Sequence, residues 1–324
     1  MSIFTIVREV LRLLHSGEEL VPYEPITVQD IIGGYQPPQP WKRKLAACLA
    51  NGLLRLVPSS RHAPEFKEHY LEWRAGRALS DALKQRCKAE GVSVHALLAV
   101  ALDRALLAVF GKEKAPKWID NPIDLRRRLR AAALKSDTLF LGGAGFKLRT
   151  GMAPGVEFWA RTRAVNEEIR EQIEKEILNI PSRFHFFEML RKPASGQVRW
   201  MVRMRYASRM KGRLDKFPLS NLGNVAVLDS DAPFRLKDLR LYVHSFRMGA
   251  VGLVTYTING EMRFYCISDE RCMTPSQMGA LERELMAVLQ QQVIRPDNSV
   301  SDVPACSVQL PETPITPERT HVSV

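Results

Sequence analysis

The dipeptide Asn259-Gly260 separates two apolar runs, "VGLVTYTI" and "EMRFYCIS", which are rich in β-branched and aromatic residues. An Asn-Gly pair favours the positive backbone φ angles of a type I′ turn, which joins two antiparallel strands through only two residues. The pattern therefore predicts a β-hairpin over residues 250–268 and excludes an all-helical fold.

Helical patterns alternate with further strand-like segments upstream of this hairpin. Helices are predicted over 80–90, 94–110 and 155–178, with a last helix starting at Thr274-Pro275. Strands are predicted over 117–124, 219–228 and 236–247, and "TLFLGGAGFKLRT" reads as a strand interrupted by glycines. Ser80-Asp81 and Ser93 are typical N-cap residues. Together these elements predict one compact α/β (α+β) lobe over residues 78–292, with a mixed, mostly antiparallel sheet flanked by helices.

The N-terminal region has a different pattern. "MSIFTIVREVLRLL" predicts a helix with one apolar face, formed by Ile3, Ile6, Val7, Val10, Leu11 and Leu14. "WKRKLAACLANGLLRLV" predicts a second helix, and "PSSRHAPEFKEHYLEWRAGRA" shows no periodicity and reads as an extended link. No run reaches the roughly 20 apolar residues of a membrane span. Residues 295–324 contain several prolines and no apolar period, so we expect a disordered tail.

The formal net charge of +12 favours anionic partners: nucleic acid, a membrane surface or a phosphorylated cofactor. Residues 191–216 carry much of this charge, with Trp200 and Tyr206 interleaved, so RNA binding is an alternative to a solvated helix face. The five cysteines form no CxxC pair and have no histidine at zinc-ligand spacing. We interpret them as free thiols, which predicts a cytoplasmic protein without a metal site.

Local motifs alone identify no active site. "LGGAGF" lacks the spacing and the Lys-Ser/Thr pair of a phosphate loop. The sequence has seven histidines, none in an HExxH motif, and it has no GxSxG elbow. His95 and Cys87 read as packing residues, and His185 reads as core or groove lining. His244 stands beside Ser245 in a predicted strand, where it could face a cleft.

Taken in order, however, the segments resemble the CoA-dependent acyltransferase superfamily. Its members include chloramphenicol acetyltransferase, alcohol acetyltransferases and the condensation domains of nonribosomal peptide synthetases. "RALSDALKQRCKAEGVSVHALLAVALDRALL" resembles the paired helices of the family, "NPIDLRRRL" its P-V-D/N-L-R strand end, and "PLSNLGNV" its S-N-x-G strand. "FWARTRAVNEEI", the hairpin and "MGALERELMAVL" resemble the remaining elements, so the similarity covers roughly residues 1–292.

The resemblance implies a chloramphenicol-acetyltransferase-like C-terminal lobe over 66–294, preceded by a remnant of the N-terminal lobe and a linker over 1–65. "MSIFTIVREVLRLL" is similar to the helix that directly follows the catalytic HHxxxDG motif in the family, with Ser2 at its serine position. No histidine here completes HxxxD. The general-base histidine is therefore expected upstream of Met1, in which case the chain is a truncated, inactive fragment or a descendant that lost catalysis.

The resemblance also implies the roles of three residues. Arg126 would pair with the motif aspartate, or else be a surface base in its "RRR" run. Ser220 and Asn221 would lie near the tunnel between the lobes, where they could support an oxyanion or cap a turn. The donor would be an acyl-CoA or a phosphopantetheine-linked acyl group, which makes a carrier protein a possible partner, and the acceptor an alcohol or amine. A non-catalytic binding or scaffold protein on the same fold is the alternative.

Overall fold

The structure is a computed structural model, and it describes residues 2–16, 22, 27–62, 67–124, 143–151, 156–209, 214–225, 238–240 and 251–293. The helices in these residues are α1 Ser2–Ser16, α2 Val28–Ile32, α3 Pro40–Leu56, α4 Arg77–Ala89, α5 Val94–Lys114, α6 Phe158–Glu188, α7 Ser195–Arg209 and α8 Pro275–Gln291. The strands are β1 Glu68–Ala75, β2 Trp118–Asp124, β3 Gly143–Arg149, β4 Lys216–Asn224, β5 Val251–Ile258 and β6 Glu261–Asp269.

The predicted hairpin is confirmed. β5 and β6 pair antiparallel from Val251↔Ser268 to Ile258↔Glu261. Both turn residues have the positive φ that a type I′ turn requires, +50° at Asn259 and +82° at Gly260.

The strands form one mixed sheet, as the sequence predicted, and their order is β1-β6-β5-β4-β2-β3. β2, β4 and β5 are parallel neighbours, whereas β1–β6, β5–β6 and β2–β3 are antiparallel pairs. β1 lies in "PSSRHAPEFKEHYLEWRAGRA", which we interpreted as an extended link. That interpretation missed a strand. In the strand predicted over 236–247, only residues 238–240 are described, and they are in neither helix nor strand. The rest of that strand and the predicted tail lie outside the described residues.

Helices α4, α5, α6 and α8 contribute to the main core on one face of the sheet, which we call the first face. Nearly every residue of α5 from Ala96 to Leu106 is buried, and α5 packs against both α6 and α8. α5 is long and apolar enough to span a membrane by length and composition, yet it is the central core helix of this lobe. Phe217, Leu219, Leu253 and Phe264 face it from the sheet.

The start of α4 differs from the prediction. Ser80 was read as an N-cap, but it lies inside α4, which begins at Arg77. Its buried hydroxyl donates to the Ala75 carbonyl and accepts from the Met262 N–H, at 3.0 and 2.9 Å, so it joins α4 to β1 and β6. By contrast, Ser93 caps α5 as predicted and accepts from the Ala96 N–H at 3.2 Å.

Helix α6 extends ten residues beyond its predicted end at 178, through Pro181 to Glu188. Contacts on both sides of the proline hold this extension. Ile180 is buried against Ile31, and Arg183 donates to Glu176 across the proline at 2.8 Å. Tertiary packing therefore outweighs the cost of a proline inside a helix.

Helix α1 has a divided apolar face. Val7 and Leu11 pack against Val225, Tyr256 and Ile258 on the second face of the sheet. Ile6, Val10 and Leu14 are exposed. Part of the predicted apolar face of α1 is therefore uncovered in the described residues.

Candidate functional site

The carboxyl ends of three neighbouring parallel strands, β2, β4 and β5, lie at one edge of the sheet. Ligands commonly bind at this edge in folds with parallel strands. Ser220 is the middle residue of β4 and Asn221 follows it, in register with Val254 and Thr255 of β5. Arg126 follows β2 by two residues and lies outside the described residues, so its ion pair stays a prediction.

Ser220 and Asn221 point to opposite faces of the sheet. Side chains alternate along a strand, and Phe217 and Leu219 belong to the core on the first face. Asn221 shares that face. Ser220 shares the second face with Leu222, which packs against Tyr256 and Val254. Both residues lie in the strand predicted for them. Because they point to opposite faces, a cleft on one face of the sheet can be lined by only one of them.

The side chain of Asn221 holds a local irregularity. The pairing of β4 with β5 shifts register between Asn221 and Asn224. Asn221 Oδ1 accepts a hydrogen bond from the Gly223 N–H at 3.0 Å, and Gly223 has a φ of +73°. The ladder resumes where the Val225 N–H donates to the Thr257 carbonyl at 2.9 Å. The bulge holds Oδ1, and Nδ2, which is the only donor of this side chain, is the atom that could donate to an oxyanion.

Thr255 is a polar neighbour of Asn221 that sequence reasoning missed. It is fully buried in β5, in register with Asn221 on one side and Phe264 on the other. Within the described part of the chain, its Oγ1 has no hydrogen-bond partner. The alternation of "VGLVTYTI" could have revealed it, because Thr255 falls on the same face as Leu253.

A polar pair, the partly buried His95 and the fully buried Asn121, lies on the same face as Asn221. Asn121 Nδ2 donates to the Ile119 carbonyl at 2.9 Å, so its Oδ1 is directed toward His95 Nε2, 3.0 Å away. Nε2 therefore carries the proton. Burial lowers the pKa of His95 below its ordinary value of 6.5, against a smaller opposing effect of the Asn121 hydrogen bond. His95 is thus a neutral structural group that fixes α5 to β2, as its packing interpretation predicted.

This pair predicts acid sensitivity. Below about pH 6.5 the unfolded chain binds a proton at residue 95, whereas the folded chain resists it, so the free energy of unfolding falls by up to about 1.4 kcal/mol per pH unit from this group. His95→Gln keeps a donor for Asn121 but cannot titrate. Urea unfolding at pH 7.5 and pH 5.0 should therefore show a smaller acid loss for His95→Gln than for the wild type. The exposed His62 provides the control, since His62→Gln should retain the full loss. Equal losses in all three proteins would refute the role of His95.

The other candidate cysteines and histidines show no sign of a catalytic role in the described residues. Burial raises the pKa of the Cys87 thiol to about 12 and that of Cys266 further still, so neither forms a thiolate nucleophile. His185 makes an edge contact with Tyr35, with ring centroids 6.3 Å apart. His244 lies outside the described residues. In the part of the chain that the structure describes, no three His, Cys, Asp or Glu side chains are grouped to hold a metal ion.

Within the basic segment 191–216, Ser195–Arg209 form helix α7, and part of its polar surface is used internally. Arg199 Nε donates to the Ser60 carbonyl at 2.9 Å. Gln197 donates to the Leu54 and Val57 carbonyls at 2.7 and 3.1 Å, which fixes α7 to the end of α3. These contacts weaken the interpretation of this segment as a continuous RNA-binding stripe.

Comparison with known proteins identifies the family of this lobe. The profile of the phthiocerol/phthiodiolone dimycocerosyl transferase C-terminus matches residues 69–262, from β1 to β6 and more than half of the chain. The chain belongs to this family. The matched range includes Ser220, Asn221, Thr255 and the His95–Asn121 pair, so the whole site lies within the dimycocerosyl transferase C-terminal region. No curated protein matched the sequence.

Solved structures share the fold at low identity. The epimerization domain from the third module of tyrocidine synthetase B is 13% identical with a TM-score of 0.52, over 90% of this chain and 66% of that one. A trichothecene 15-O-acetyltransferase from Fusarium sporotrichioides is 11% identical with a TM-score of 0.56, over 90% and 63%. The EpoB cyclization-docking bidomain from Sorangium cellulosum is 14% identical with a TM-score of 0.52, over 91% and 57%.

The family match over residues 69–262 confirms the predicted acyltransferase superfamily. These neighbours confirm its α/β fold. This chain spans somewhat less than two thirds of the length of each of them.

Proposed function

We propose that this chain is the C-terminal part of an acyltransferase that moves an acyl group from a thioester to the hydroxyl of an alcohol. The observation that carries the proposal is the family match over residues 69–262, which contains the Ser220-Asn221 strand. That family is named for a dimycocerosyl transferase, and one structural neighbour is a 15-O-acetyltransferase. Both names describe acyl transfer, the second of them to oxygen, which favours an alcohol over an amine as the acceptor.

The reaction needs a base that removes the hydroxyl proton while the oxygen attacks the thioester carbon. A tetrahedral oxyanion forms, the C–S bond then breaks, and the thiolate leaves and takes up the proton. Asn221 Nδ2 is our candidate donor to the oxyanion. Ser220 lies on the opposite face of the same strand. No histidine of this chain is followed by aspartate at HxxxD spacing, so we place the base in an HHxxxDG motif outside residues 1–324. The chain on its own is then inactive.

The donor is an acyl-CoA or an acyl group on the phosphopantetheine arm of a carrier protein. Both donors carry phosphates, and the net charge of +12 favours their approach. Arg126 would form the ion pair with the aspartate of the upstream motif. A reducing cytoplasm suits the free thiols at Cys48, Cys87 and Cys266.

The acceptor class is tested on a protein extended upstream through an in-frame HHxxxDG motif, hereafter the extended protein. Acyl-CoAs of short and long chain are offered with a matched alcohol and amine of equal length, and products are identified by mass spectrometry. We expect the ester. If the amide is the only product, the proposed acceptor becomes an amine instead of an alcohol. Neither product, with any donor or carrier-bound thioester, would overturn the enzymatic proposal in favour of the scaffold alternative.

A further inference from the structure

Helix α3 is held against the lobe by polar contacts on one face. Arg43 Nη1 donates to the Ser182 carbonyl at 2.8 Å. Asn51 Nδ2 donates to the Met189 carbonyl at 3.0 Å, and its Oδ1 accepts from the Arg191 N–H at 2.7 Å. Ala47, between Arg43 and Asn51 on the same face, is buried. These contacts attach α3 to the end of α6 and the segment before α7, and they fix which side of α3 faces outward.

The outward side of α3 is apolar along the whole helix. Its large side chains recur at intervals of four, four, four and three residues, which places them on one stripe opposite the attached face. Each is between 54 and 78% exposed: Trp41, Leu45, Leu49, Leu53 and Leu56. A soluble protein rarely leaves a continuous apolar surface of this kind without a partner. We call these five residues the α3 stripe.

The charged residues in the segment that carries the α3 stripe have a single sign. Residues 31–64 contain five basic residues and no acidic one: Lys42, Arg43, Lys44, Arg55 and Arg61. Lys42 Nζ lies 5.4 Å from the centroid of the Trp41 ring, so a cation sits directly at the stripe. A second copy of the chain would bring the same cations to the contact with no acidic residue in the segment to pair them. The chemistry that complements the stripe is therefore an apolar surface with anionic groups at its border.

We propose that α3 docks on the surface of an anionic phospholipid bilayer and lies parallel to it. A tryptophan and leucines on one face with flanking lysines are typical of helices that bury their apolar side at the boundary between headgroups and acyl chains. At 17 residues, or about 25 Å, α3 lies along the surface, because its attached face carries Arg43 and Asn51 and remains on the lobe. The α3 stripe lies outside the family-matched residues 69–262, and vesicle binding is measured without acyl transfer, so the two proposals are tested separately.

Cosedimentation of the 324-residue chain with vesicles tests the proposal. Vesicles of phosphatidylglycerol and phosphatidylcholine should bind the chain, and those of phosphatidylcholine alone should bind it at least tenfold more weakly. The double variant Leu49→Gln/Leu53→Gln should lower the partition coefficient at least about tenfold. Lys42→Gln/Lys44→Gln should lower the partition coefficient on anionic vesicles about thirtyfold. High salt should also lower it. Leu178→Gln is the matched control, because Leu178 on α6 is 78% exposed and lies outside the α3 stripe.

The contact itself is located by fluorescence. Phospholipids brominated in their acyl chains should quench the wild type, and Trp41→Phe should lose most of the quenching although four other tryptophans remain. Equal vesicle binding by the wild type and the stripe variant would overturn the proposal. So would a dimer in sedimentation that dissociates in Leu49→Gln/Leu53→Gln, since a second copy would then cover the stripe. Vesicle binding that is lost in the extended protein would also overturn it, since the upstream part of the protein would then cover the stripe. Failure of acyl transfer in the extended protein would leave these binding results unaffected.

Discussion

Asn221→Asp should lower kcat of the extended protein by about 10²–10³-fold, the usual effect of removing one oxyanion donor. The substituted carboxylate can still accept the Gly223 N–H hydrogen bond, which is 3.0 Å long in the native bulge. It cannot donate, and its charge repels a developing oxyanion. The bulge should therefore persist while catalysis is lost, so the thermal unfolding temperature should change little. Stopped assays of thiol release and thermal unfolding on the same preparations measure both effects.

Two further variants distinguish a donor from a purely structural residue. Asn221→Ala removes both functions, so it should lower kcat and also destabilise the bulge. Ser220→Ala changes the adjacent residue on the opposite face of β4 and should leave kcat within about threefold. A kcat for Asn221→Asp close to that of the parent would contradict the proposed donor. A large loss confined to Ser220→Ala would assign the oxyanion contact to the serine.

Phe264→Ala should destabilise the chain by about 3–5 kcal/mol, the range for removing a fully buried phenylalanine. Phe264 has no exposed surface and stacks on Trp73 of β1, with ring centroids 5.3 Å apart. It also pairs with Thr255 of β5, so its ring is packed where three strands meet the helices. Loss of the ring leaves a cavity that neighbouring strands cannot close without breaking their hydrogen bonds.

Urea unfolding followed by circular dichroism measures this loss. Phe187→Ala is the matched control, because Phe187 at the end of α6 is 60% exposed. It should change the free energy of unfolding by no more than about 0.5 kcal/mol, as is usual at the surface. A loss below about 1 kcal/mol for Phe264→Ala would mean that the stacked pair is not part of the stable core.

The features that the sequence revealed have local causes. The hairpin depends on two adjacent turn residues, and α5 on a serine cap followed by a helix that is apolar on almost every side. β1 escaped detection because it is an edge strand whose first five residues are only partly buried. Its hydrogen bonds come from β6, almost 200 residues later, and no local pattern encodes that partner.

The same limit applies to contacts across the fold. The amphipathic pattern of α3 is visible in the sequence, but only the contacts of Arg43 and Asn51 with residues 182–191 show that its leucines face outward. The pairing of His95 with Asn121 joins residues 26 positions apart through tertiary structure. Strand alternation alone predicts that Ser220 and Asn221 lie on opposite faces. It does not predict the bulge, in which Asn221 Oδ1 accepts a hydrogen bond.

Thiol release from an acyl-CoA in the presence of an alcohol tests the central claim most directly. The claim is that this lobe performs acyl transfer with a general-base histidine contributed from outside its 324 residues. The chain alone should show no release above background, and the extended protein should turn over. Changing the second histidine of its HHxxxDG motif to alanine should reduce that turnover by about 10²–10⁴-fold, as expected for loss of a general base. Robust release by the chain alone would contradict the account, and alanine variants of His185 and His244 would then locate the base.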